Sequence, residues 1–95
     1  MTLRDVIANL EGFSAGDTIY AESSSPAARA LVASEPDDGE VPAAAAGLAY
    51  FLEVALAREA IDVWSRWRPG RAPTLEDKVA AVTHYAQNDA WLPVD

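Results

Sequence analysis

The chain has 95 residues, fifteen acids against seven bases for a formal net charge of −8, and no cysteine. That length makes one domain, residues 1–95, with a single core and no room for a large internal cavity. The missing cysteines exclude disulfides and thiolate metal sites, and a strongly negative chain repels phosphate backbones, so direct nucleic-acid binding is not expected.

The first element reads as a helix, because Leu3, Val6, Ile7 and Leu10 recur at i, i+3, i+4 and i+7. Thr2 can cap it with Asp5 three residues on, and Gly12 can stop it, which would fold Phe13 back onto the apolar stripe. The opening residues MTLRDV lack the basic stretch and apolar run of a secretory signal, so none is expected. Ser14-Ala15-Gly16-Asp17 is a turn, and Thr18 to Glu22 continues with strand-forming residues. After the turn Ser23-Ser24-Ser25-Pro26, a shorter run from Arg29 to Ser34, centred on Leu31 and Val32, can pair with the first strand as a hairpin.

The segment from Glu35 to Glu40 is a loop of acids with Pro36 and Gly39. Asp37-Asp38-Gly39-Glu40 lacks the alternating oxygen ligands and closing glutamate of a calcium loop, so a solvated loop is the better reading. Four alanines between Pro42 and Gly47 make a short helical turn. The apolar stretch from Val41 to Leu52 is interrupted at Pro42 and Gly47 and falls short of the ~20 residues of a membrane helix, so no membrane association is expected and a cytoplasmic location is the default.

Residues 48–54, LAYFLEV, fit two periods. As the start of a long helix they would turn Glu53 onto the apolar face, where a lone carboxylate is costly. As a strand they place Leu48, Tyr50, Leu52 and Val54 on one side and Ala49, Phe51 and Glu53 on the other. The strand is favoured, followed by a helix from about Leu56 to Trp67. Its stripe is Leu56, Ala60, Val63 and Trp67, widened by Ala57, Ile61 and Trp64, with Arg66 and Arg68 where the helix dipole favours positive charge. Pro69-Gly70-Arg71-Ala72-Pro73 breaks the chain. Thr74 then caps a last helix whose buried stripe is Leu75, Val79, Val82 and Ala86. The order α-β-β-β-α-α predicts an α+β fold, a small antiparallel three-stranded sheet with three helices packed on one face.

No Gly-rich phosphate cradle, nucleophile elbow or zinc helix motif is present. The single His84 cannot build a multi-histidine metal site. As a general base it would need a nucleophile and an orienting carboxylate at no spacing the sequence provides, and a histidine bonded to a neighbour such as Asn88 is the simpler reading. Glu53 and Glu59 are better explained by a structural partner such as Arg58 than as a catalytic pair. No catalytic residue, metal or cofactor is therefore expected.

The charge is lopsided. Residues 1–53 carry nine acids against two arginines, a net of −7, and residues 54–95 carry six acids against five bases, a net of −1. Such a field attracts a basic protein. Solubility alone is the plainer explanation, and core packing accounts equally for Trp64, Trp67 and Trp91. The candidate partner-binding residues are Glu35, Asp37, Asp38 and Glu40 of the acidic loop together with Trp64 and Trp67.

The second half, from LAYFLEV through PTLEDKVAAVTHYAQNDAWL, resembles a family of short bacterial proteins without an assigned activity. They share an aromatic-bearing strand, a Pro-Thr-Leu helix cap and a helix closing on Tyr-x-x-Asn-Asp-Ala-aromatic, here Tyr85, Asn88, Asp89, Ala90 and Trp91. The resemblance covers about half the chain and looks like toxin-immunity proteins in style, which is analogy at the level of the fold. The expected function is a non-catalytic acidic binding protein that occludes a basic protein, as an immunity protein or inhibitor does. The alternatives are a DNA-mimicking inhibitor of a nucleic-acid-binding protein, a homo-oligomeric structural domain that pairs as a homodimer, and a small enzyme built on His84.

Overall fold

The computed structural model of the chain describes residues 1–34 and 42–93. The acidic loop with Glu35, Asp37, Asp38 and Glu40 lies outside the described residues. The elements are α1 (Leu3–Ala8), β1 (Thr18–Ala21), β2 (Ala30–Ala33), β3 (Ala49–Glu53), α2 (Val54–Arg66) and α3 (Leu75–Asn88), with single 3-10 turns at Leu10–Gly12 and Ala43–Ala45. This is the expected α+β order. The sheet is antiparallel throughout, in the order β2-β1-β3.

Thr2 and Asp5 form the expected capping box: Asp5 N–H donates to Thr2 Oγ1 at 3.2 Å, and Thr2 N–H donates to the Asp5 carboxylate at 2.9 Å. The helix stops at Ala8 and tightens into the 3-10 turn that ends at Gly12, so Leu10 stays buried and Phe13 packs partly buried against the core. The N-terminus is held to the β1–β2 connection. Leu3 N–H bonds Ala28 O at 2.8 Å, Arg4 N–H bonds Pro26 O at 3.0 Å, and Ala30 N–H bonds Met1 O at 2.9 Å.

All four residues of β1 are buried. Ile19 faces the helices, opposite Val32 on β2 and Leu52 on β3, in the cluster with Leu3, Val6, Ile7, Val54, Ala57, Val79 and Val82. Tyr20 faces the other way, in a second small cluster with Ala45 and Leu48 of the 42–48 connection, bordered by Leu31 and Ala33.

The alternation expected for β3 holds only in part. Ile19 opposes Leu52 and Tyr20 opposes Tyr50, so Phe51 has no opposite number and forms a β-bulge. A bulge adds one residue and reverses the facing of the residues beyond it. Leu48 therefore packs in the outer cluster, Leu52 and Phe51 pack in the helix-side core, and Tyr50 is left 50% exposed. Val54 is already the first residue of α2, and Glu53 takes the exposed N-cap position.

The stripe of α2 also differs from expectation. Val54, Ala57, Ala60, Val63 and Trp64 are buried, Leu56 and Ile61 partly so, and Trp67 lies outside the stripe as the C-cap. The row through Ala57, Ala60 and Trp64 continues one turn further to Arg68, which is 7% exposed. Its guanidinium lies 4.7 Å from the Trp64 ring centroid and donates to Trp64 O at 3.3 Å and to Pro93 O at 2.8 Å. With the Tyr85–Trp91 stack at 4.6 Å, that bond draws the C-terminal strap onto the helices. α3 begins at the expected Thr74–Asp77 capping box and ends at Asp89 in the left-handed region, φ 54°.

Hydrogen bonds from the Thr2 and Thr74 backbone N–H groups hold the carboxyls of Asp5 and Asp77 below their ordinary value of 3.8. A depressed folded-state pKa stabilises the fold fully above the unfolded value and loses that contribution as pH falls through the folded one. The double substitution Asp5→Asn with Asp77→Asn should therefore flatten the acid limb of a Tm-against-pH curve below about pH 4. An acid limb as steep as that of the parent chain would show that these caps carry no such linkage.

Candidate functional site

The acids that the structure places together lie at one end of the sheet. Asp17 immediately precedes β1, and its backbone carbonyl accepts the N–H of Val54 at 3.0 Å, which sets where α2 begins. Its carboxylate accepts the Ser34 hydroxyl at 3.1 Å. Thr18 is opposite Ala33 on one side and Glu53 on the other, so Asp17, Ser34 and Glu53 share this end. Glu35, the first residue of the acidic loop, comes directly after Ser34 in the chain.

Glu53 and Glu59 do not form a pair with Arg58. Arg58 turns instead toward the 3-10 turn after α1, where its Nη2 donates to Leu10 O at 3.1 Å and to Phe13 O, with Glu11 O at 3.4 Å. Its Nε lies 3.9 Å from the Glu11 carboxylate. Leu10 O also accepts the Phe13 N–H at 3.2 Å, whereas carbonyls past the end of a short helical turn lack an intrahelical partner, and a guanidinium satisfies several at once. Among the described residues neither Glu53 nor Glu59 has an ion pair.

The tryptophan candidates separate. Trp64 is 4% exposed and lies against the guanidinium groups of Arg68 and Arg71, the latter at 5.3 Å, so it serves packing and offers no surface to a partner. Trp67 is 46% exposed. It caps the C-terminal end of α2, whose thirteen residues span ~20 Å from the end where Asp17 and Glu53 sit. Asp17 and Glu53 therefore do not share a patch with Trp67. The burial of Arg68 has no local mark in the chain, because the apolar stripe ends at Trp64 and an arginine after a helix reads as a solvated dipole partner.

Asn88 Nδ2 donates to His84 O at 3.0 Å and approaches His84 Nδ1 at 3.4 Å, the neighbour contact expected from the i, i+4 spacing. Among the described residues no carboxylate or hydroxyl is hydrogen-bonded to the ring, and no group of three or more His, Cys, Asp or Glu residues could hold a metal ion. No helix among them is long and apolar enough to cross a membrane.

Comparison with protein families, with curated proteins and with solved structures finds no significant match to the chain. The functional reading rests on its own residues.

Arg58→Met should cost about 1–3 kcal/mol in urea unfolding, because it strands the carbonyl of Phe13 in a half-buried seam and takes one of two donors from Leu10 O. A loss below about 0.5 kcal/mol would show that those carbonyls find water instead. Trp67→Phe should remove the acrylamide-accessible fraction of the tryptophan emission and leave stability within about 0.5 kcal/mol. Emission that stays equally quenchable would place the accessible indole at Trp91.

Proposed function

We propose that the chain is a non-catalytic binding protein that uses the acidic end of its sheet to occlude a basic partner protein, in the manner of an inhibitor or immunity protein. The observation that carries this reading is the grouping of Asp17 and Glu53 at the end of the sheet from which the Glu35–Glu40 segment departs. The arginines do little to neutralise that end. Arg58 is committed to backbone carbonyls, Arg68 to Trp64 and Pro93, Arg66 to Asp62 and Arg4 to Glu76. Acids that lack short-range counter-charges keep their long-range field, which speeds encounter with a cation-rich surface and sets register there.

Trp67 lies outside this surface, and the working residues are Asp17, Glu53 and the loop acids Glu35, Asp37, Asp38 and Glu40. The reading is cytoplasmic and cofactor-free. Capture of a basic protein from native lysate should be strong at low ionic strength and fade as salt rises past about 0.15 M, where the screening length is about 8 Å. Neutralising Asp17, Glu35, Asp37, Asp38, Glu40 and Glu53 to their amides should abolish it, while Trp67→Ala should leave it unchanged. Capture of the same protein by the neutralised chain would overturn the proposal.

A further inference from the structure

Lys78 is the sole lysine of the sequence. It lies on the first turn of α3, half-buried, and its ammonium has no hydrogen bond or ion pair among the described residues. It borders a cleft of about 70 Å³ shared by α1, the 3-10 turn, α2 and α3, lined by Ile7, Ala8, Leu10, Glu11, Arg58, Ile61 and Lys78. Two of the seven basic residues of a strongly acidic chain thus meet across one small opening. Nearby acids have other partners: Glu76 pairs with Arg4 at 2.5 Å and Asp62 with Arg66 at 3.1 Å. Glu11 alone stands at the rim, 91% exposed, with its carboxylate 3.9 Å from Arg58 Nε.

We propose that this cleft is a binding site for a small carboxylate. Two cations beside a partly desolvated wall repay their burial when an anion sits between them. The volume is far below the several hundred Å³ of a drug-sized ligand site, so it admits a head group of a few heavy atoms and no more. Ile7 and Ile61 offer such a group an apolar contact, which favours an alkyl carboxylate over an oxyanion that is polar all round, such as phosphate. Glu11 is the internal competitor: its own carboxylate reaches the same guanidinium from outside, loosely enough to be displaced. The site shares none of its lining residues with the acidic end of the sheet and does not depend on what binds there.

The carboxylate comes either from a free small acid or from a peptide, and the two are separable. Reductive methylation with ¹³C-formaldehyde labels only two amines, Lys78 Nζ and the Met1 terminus, the second serving as internal control. Titration with sodium propionate at constant ionic strength should shift the Lys78 resonance saturably, with a dissociation constant on the order of millimolar, and the Met1 resonance only slightly. Phosphate should bind more weakly than propionate. Glu11→Gln should tighten propionate binding severalfold, and Lys78→Gln should abolish the rise in Tm that propionate produces in the unlabelled chain. A short peptide with a free C-terminal carboxylate that shifts Lys78, where its C-terminal amide does not, would assign the site to peptides; propionate acting alone would assign it to free acids. Parallel, non-saturating shifts of both amines, or a Lys78→Gln chain with its full propionate response, would overturn the proposal.

Discussion

The fold depends on keeping β1 dry on both faces. A central strand in a domain of this size has too little sheet around it to protect its hydrogen bonds, so each face needs its own cover. Ile19 and Ala21 receive theirs from the three helices. Tyr20 receives its cover from residues 42–48, the 3-10 turn at Ala43–Ala45 with Leu48 behind it. Gly47, at φ 85°, is what lets that connection turn back into β3. The bulge at Phe51 belongs to the same requirement. By reversing the facing of β3 midway, it allows one five-residue strand to send Leu48's neighbour Tyr50 to the outer face and Leu52 to the inner core. It also spoils the regular edge that β3 would otherwise offer to a second copy.

The basic residues serve this architecture more than they serve charge balance. Arg58 holds the turn after α1 by its carbonyls, and Arg68 holds the C-terminal strap through Pro93 while lying on Trp64. Both guanidinium groups address peptide oxygens, which carry only partial charge. Arg58 keeps only a 3.9 Å contact with the Glu11 carboxylate, and among the described residues neither arginine pairs with Asp17 or Glu53. Asp17 and Glu53 are fixed by the register of β1 against β3, and Ser34 by its bond to Asp17.

Element type and order were legible in the sequence because each local signal agreed with its neighbours. Both capping boxes, Thr2–Asp5 and Thr74–Asp77, are written in four-residue patterns whose chemistry is local. The strand at LAYFLEV was legible through the cost of burying Glu53 in a helix. The features that stayed hidden depend on tertiary position. A bulge has no fixed sequence mark, so the two-residue alternation of β3 runs on in the sequence past Phe51, where the strand breaks it. Trp67 reads as the next member of the α2 stripe only if the helix continues straight; ending at Arg66 turns it out and lets Arg68 take the buried place. The Arg58–Glu11 contact joins residues 47 apart in the chain, whereas nearness in sequence points to Glu53 and Glu59, with which Arg58 forms no ion pair. The cleft beside Lys78 needs three helices and a turn at once, which no single periodicity reveals.

The acidic end and the cleft have opposite sign and different physical character. At the sheet end Glu53 is exposed and Asp17 partly so, and attraction between such charges and a partner is long in range, weak for each pair and sensitive to salt. In the cleft the cations are partly desolvated, so their attraction acts over a few ångströms, resists screening and selects by shape. An exposed field without a shaped pocket discriminates poorly among basic proteins. A shaped pocket without a field captures slowly. The two proposed sites share no residue, so a carboxylate held beside Lys78 leaves the charges of Asp17 and Glu53 as they are.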